Sequence, residues 1–260
     1  MIFLDIDGTI ITQDLRHYLP PSTVEAIKKA RANGHLVFVN TGRVHANIED
    51  IIRNIGFDGF VCGCGTGIYY ENEIIFRNKL EKSLCREIAL LCRECNVFAI
   101  FEEDGFTTVD SMVTPNEYGR EILKYFELMG QGIRKSIDTE EFVFDKFAMW
   151  YNEDSNFNKL YDRLIKDFDY IDRGLQMAEI VPKGYSKATG IQFLCDYFHI
   201  PLENCYAVGD SSNDLSMLSY VPNSIAMGNS SEEVFPVVSF VTKDIEEDGI
   251  QYAFSHYGII

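Results

Sequence analysis

Apolar positions along this chain change period several times, and each change marks an element. The first residues, "MIFLDI" (1–6), form an apolar run too short for a helix and of the right length for a buried strand. "PSTVEAIKKARANG" (21–34) spaces Val24, Ile27 and Ala30 at helical intervals, with Ser22 near the start and Gly34 as a stop. "HLVFVN" (35–40) reads as a second buried strand, "RVHANIEDIIRNIG" (43–56) as a second helix, and "FDGFVCGCG" (57–65) as a third strand. This β-α-β-α-β order predicts a parallel sheet with right-handed crossovers. "GIYYENEIIF" (67–76) reads as a hairpin turning near Glu71 and Asn72.

From about Leu80 the pattern differs. A helix over 81–95 precedes two strand-like runs, "NVFAIFEED" and "FTTVDS". A helix near 116–128, a strand "FVFDKFAMWYN", a helix near 155–167 and strands "DYIDRG" and "LQMAEIVP" follow. Strands next to strands, with helices between groups, predict an α+β unit. After Gly184 the alternation resumes: a helix (186–198), "CYAVGD", a helix "SNDLSMLSYV", "SIAMG", a short helix, "VVSFVT" and a last helix. The expectation is an α/β protein with a Rossmann-like parallel-sheet core from residues 1–80 and 184–260. An α+β domain is inserted at 81–183.

Composition narrows the function. The 260 residues carry a formal net charge of −17, which argues against binding a nucleic-acid backbone or an anionic membrane. The chain holds no run of about 18 apolar residues, and acids from Asp5 onward interrupt any apolar leader. Seven cysteines, an odd number, suit free thiols, so a cytoplasmic location is expected. Cys92 and Cys95 lie in a stretch of helical spacing and read as packing, not as a metal site.

In parallel sheets ligands bind beyond the carboxyl ends of the strands. There the first strand ends in Asp5 and Asp7, two carboxylates whose repulsion needs a cation or a proton to relieve it. The second ends in Asn40-Thr41-Gly42-Arg43, and the strand near 205–209 ends in Gly209-Asp210-Ser211-Ser212-Asn213-Asp214. Lys187 opens a helix. Each group alone has a plain reading: turn acids, helix caps, a surface lysine. Capping does not explain all of them falling at sheet ends in this order. The acidic "FEED" (101–104) reads as a solvated turn rather than a second metal site, and Trp150 as core.

The ordered set Asp5-x-Asp7-Gly8-Thr9, Thr41, Lys187 and Gly209-Asp210-x-x-Asn213-Asp214 resembles the haloacid dehalogenase superfamily. Within it the chain is similar to the Cof-type phosphatases, which carry a large α/β cap (type IIB) between the second and third motifs. "NTGR", "VPKGYSK", "IAMGN" and "EEDGI" add to the likeness. Two departures stand out: Gly63-Cys64-Gly65-Thr66 where the family usually has Asn at the second position, and Val44 where a proline is common.

The resemblance implies a Mg²⁺-dependent phosphatase of small phosphorylated metabolites, sugar phosphates or phosphorylated cofactors. Asp5 would be the nucleophile forming an aspartyl-phosphate, and Asp7 the acid and base, kept protonated by crowding. Thr41 and Lys187 would hold the phosphate. Gly42, Arg43 and Asn213 would lie at the substrate, and Asp5, Asp7, Asp210 and Asp214 would serve the metal, Asp214 either directly or by orienting Lys187. The cap would supply specificity. The alternatives are a phosphohexomutase of the same superfamily and a non-catalytic phosphometabolite-binding regulatory module.

Overall fold

The computed structural model describes residues 1–14, 16–128 and 132–260. The first third of the chain forms β1 (Ile2–Leu4), α1 (Pro21–Ala32), β2 (Val37–Asn40), α2 (Asp50–Arg53), β3 (Gly59–Cys62), β4 (Gly67–Tyr70) and β5 (Glu73–Arg77). The middle forms α3 (Lys82–Glu94), β6 (Phe98–Glu103), β7 (Phe106–Val109), α4 (Glu117–Leu128), β8 (Ile133–Arg134), β9 (Lys146–Trp150), α5 (Phe157–Leu164), β10 (Phe168–Gly174) and β11 (Met177–Pro182). The remainder forms α6 (Lys187–Phe198), β12 (Tyr206–Gly209), α7 (Leu215–Tyr220), β13 (Asn223–Ala226), β14 (Phe240–Val241) and α8 (Gly249–His256).

Packing divides the chain into two compact units, one of residues 1–43, 48–76 and 185–260, the other of 44–47 and 77–184. The first is built on an eight-stranded sheet ordered β14-β13-β12-β1-β2-β3-β4-β5. Strands β14 through β3 run parallel, and β4 turns back antiparallel on β3. Alternation along β1 sets its two layers. Ile2 and Leu4 pack with Ile27 of α1 and Phe254 of α8, while Phe3 packs with Ile191 and Leu194 of α6 and Met217 of α7. The hairpin turn is as expected: Glu71 and Asn72 both take positive φ, 48° and 67°.

The second unit is a six-stranded sheet ordered β10-β11-β9-β6-β7-β8. Phe101, Phe147, Met149 and Ile180 face Ile88 and Cys92 of α3 and Leu160 of α5. Phe98, Ile100, Ala148 and Trp150 face Leu123 and Phe126 of α4. Trp150 is core, as its position in a strand suggested.

Three local expectations are corrected. The helix expected over 43–56 is a single 3₁₀ turn, His45–Asn47, followed by the short α2. Glu49 between them is extended (φ −69°, ψ 153°), and its carboxylate takes a hydrogen bond from Arg43 Nη1 at 3.0 Å. Only Lys146–Trp150 of "FVFDKFAMWYN" is strand, because Phe142 and Phe144 stack instead against Phe101, with centroids 5.3 and 5.2 Å away. Glu102 is buried rather than solvated, since its strand position turns it inward to Lys146.

Candidate active site

The carboxyl ends of β1, β2 and β12, three neighbouring parallel strands, bring the first set of groups together. Asp5 follows β1 directly, and its amide donates to Val208 O of β12 at 3.0 Å, which fixes its place at the sheet edge. Thr41 follows β2 and is held by its amide donating to Val61 O at 2.9 Å. Asp210 follows β12. Lys187 opens α6, whose start is secured by a capping box of Ser186 and Thr189. Asn40 Nδ2 adds a buried hydrogen bond to Lys187 O at 3.0 Å.

Lys187 is fully buried. Its ammonium donates to Asp5 Oδ1 at 2.7 Å and to Asp214 Oδ1 at 2.6 Å, with a longer bond of 3.4 Å to Asn213 Oδ1. The other oxygen of Asp214 accepts from the amides of Asp210 (2.9 Å) and Ser211 (3.1 Å). The capping reading of "GDSSND" is therefore correct, and Asp214 also orients Lys187. Asp5, Asp210 and Asp214 are all buried, and each offers an oxygen within 4.8 Å of the others. Three carboxylates thus face one ammonium. Burial pushes Asp5 up to about 7, with Asp214 adding to the push and Lys187 opposing it. Burial and then Asp5 raise Asp210 to about 8. For Lys187 burial works against the charged form, yet Asp214 and Asp5 prevail and its pKa rises.

The model of the haloacid dehalogenase-like hydrolases matches residues 2–254 of this sequence. The chain belongs to that family. This hydrolase is 28% identical over 266 residues to the "Putative phosphatase YkrA" of Bacillus subtilis, covering all of this chain and 98% of that protein. It is 25% identical over 277 residues to the B. subtilis "5-amino-6-(5-phospho-D-ribitylamino)uracil phosphatase YwtE", covering 96% of this chain and 95% of YwtE. Among solved structures, the HAD subclass IIB sugar phosphatase BT4131 superposes with a TM-score of 0.84 at 29% identity, covering 100% and 99% of the two chains.

Asp7 has a partner that the sequence expectation of crowding carboxylates did not include. Asp7 is gripped by a two-armed guanidinium fork, Arg43 Nε to Oδ2 at 2.9 Å and Nη2 to Oδ1 at 2.6 Å. Arg43 is in turn tied to Glu49, whose other oxygen lies 3.2 Å from His17 Nδ1. Arg43 is therefore paired with two acids, Asp7 and Glu49. Thr41 Oγ1 accepts from the Arg43 amide at 3.1 Å, and Gly42 is buried in that turn.

Several site residues carried no readable role in the sequence. Thr9 Oγ1 donates to Asp210 Oδ1 at 3.2 Å. Gln13 Nε2 lies 3.3 Å from Asp210 Oδ2 and 3.5 Å from the backbone oxygen of Asp7. That amide is a donor standing between two oxygens, the place where a hard cation fits. Asn229 Nδ2 donates to Gly8 O at 2.8 Å. Gly8 itself has φ 82°, and a Cβ there would lie 2.2 Å from Asp210 Oδ2, so only glycine lets the two motifs approach. Cys64, at the usual Asn position, takes a left-handed φ of 56°, a conformation Asn tolerates better than Cys. Residues 63–66 keep the turn without the family's side chain.

Proposed function

We propose that this hydrolase is a Mg²⁺-dependent phosphatase of small phosphorylated metabolites, acting through an aspartyl-phosphate on Asp5. The observation that carries the reading is the buried trio Asp5, Asp210 and Asp214 against the single ammonium of Lys187. Two uncompensated charges on hard oxygens fit a divalent cation. Asp5, the Asp7 backbone oxygen and Asp210 would hold it; Asp214, with its oxygens given to Lys187 and two amides, acts through the lysine. Bound Mg²⁺ lowers the repulsion between carboxylates and a phosphate dianion.

The protein's own groups then account for the chemistry. Asp5 attacks phosphorus, the bond to the leaving oxygen breaks, and an acyl phosphate forms. Lys187 and the Thr41 hydroxyl hold phosphate oxygens as their charge shifts. Asp7 gives a proton to the leaving oxygen and takes one from the water that attacks the acyl phosphate. For that duty it exchanges one arm of its fork with Arg43 for a proton. Sugar phosphates are the leading substrate class, supported by the names of BT4131 and YwtE, with phosphorylated cofactors next. The unit of 77–184 is the specificity domain in this reading.

The test is hydrolysis of an aryl phosphate with Mg²⁺, then initial rates on a panel of phosphorylated metabolites. Asp5→Asn is expected to lose about 10³-fold or more in kcat. Full activity in that variant would overturn the mechanism, and turnover only with a bisphosphate activator would mark a mutase.

A further inference from the structure

Cys195 lies in the last turns of α6, and Cys205 directly precedes β12. Their sulfurs are 3.5 Å apart. The chain between them is already closed by its own backbone. His199 takes a left-handed conformation, the Ile200 amide donates to Cys195 O at 3.0 Å, and the Cys205 amide donates to Leu202 O at 3.0 Å. A covalent link would therefore join two ends that the fold holds together, shortening the sulfur contact to a bond of about 2.05 Å.

The two sulfurs are unlike. Cys205 is fully buried, whereas Cys195 is only partly buried. The hydrogen bond between them lowers the Cys205 pKa to about 7 and raises that of Cys195, so the pair shares a proton that rests on Cys195, while burial pushes Cys85 up to about 11 and raises Cys92.

We propose that Cys195 and Cys205 are a modification site: a dithiol that a small-molecule disulfide converts to an internal disulfide, and that thiols restore. Cys195 Sγ, its proton passed across the contact to Cys205 Sγ, attacks one sulfur of the reagent and releases the first small thiol. Cys205 Sγ then attacks Cys195 Sγ and releases the second. Two electrons and the two thiol protons leave on the two released thiols, so the exchange balances. The bond would tie the helix that begins at Lys187 to the strand that leads to Asp210.

The experiment uses the folded full chain and excess glutathione disulfide. The tryptic fragment 188–243 holds Cys195 and Cys205 and no other cysteine. It is expected to lose two hydrogen masses and to resist alkylation until dithiothreitol is added. Titratable thiols fall from seven to five, the link removing two. The closed loop is expected to raise Tm by about 5 °C. Cys205→Ser should instead keep one glutathione on Cys195. Two alkylatable thiols in the fragment after oxidation, or a link that forms only in denaturant, would overturn the proposal.

Discussion

Two clusters of buried charge, one in each unit, show how a site differs from a scaffold. In the unit of 77–184, Lys146 lies 3.1 Å from Glu102 and 3.2 Å from Glu179, and Arg173 lies 3.5 Å from Glu179. There two acids lie beside two bases. In the other unit, among the described residues, the buried trio Asp5, Asp210 and Asp214 shares the one ammonium of Lys187, so acids outnumber the base. A buried charge is tolerated when paired and hydrogen-bonded. Where acids outnumber bases, protons or a cation relieve the repulsion, and the proposed metal site rests on that excess.

The largest effect that would break this comparison comes from Asp210→Asn. Removing one surplus charge should stabilise the chelated protein while cutting phosphatase activity at least about 100-fold. In the balanced cluster the neutral variant Glu179→Gln should do the opposite. It leaves Lys146 and Arg173 short of an acid and should cost about 2–3 kcal/mol in urea unfolding. Equal signs for the two variants would mean that surplus charge does not distinguish the clusters.

The next effect is a pH dependence. Asp5 and Asp210 have folded pKa values near 7 and 8, raised from 3.8, chiefly by burial. Between about pH 4 and 7 the folded chain then binds more protons than the unfolded chain, so metal-free stability should fall as pH rises through that window. Mg²⁺ should raise Tm more at pH 8 than at pH 5. A Mg²⁺ effect that is flat across this range would show that the carboxylates do not carry the excess protons.

The balance of these clusters marks the limit of what the sequence reveals. The alternating periods made the parallel core legible, and the order Asp5, Thr41, Lys187, Asp210 marked the strand ends. Charge balance was not legible, because it depends on which side chains are buried together. Glu102 sits in an acidic run that looks solvated, yet strand alternation turns it inward. Lys187 looks like a surface lysine, yet helix α6 opens with it fully buried. Gln13 lies outside every motif, and Thr9 and Asn229, though inside quoted motifs, make contacts far along the chain that the motifs do not spell out. The partner of Asp7 was hidden for the same reason: its neighbour in sequence is Asp5, but its partner in space is Arg43.

That partnership yields the smallest and sharpest effect. Glu49 pairs with Arg43 and so helps it hold Asp7 in one orientation, since fixing a long side chain costs entropy. Glu49→Gln keeps the shape and one acceptor but removes the charge that pairs with Arg43 Nη1. It should lower kcat about tenfold and change KM little, because the proposed mechanism has Asp7 act on the leaving oxygen and not on phosphate binding. Arg43→Lys cannot form the fork and should behave alike. The readout is the split between kcat and KM on a substrate with a poor leaving group. On an activated aryl phosphate, where little proton transfer is needed, both variants should come close to wild type. Equal losses on the two substrates would show that Arg43 serves the phosphate rather than Asp7.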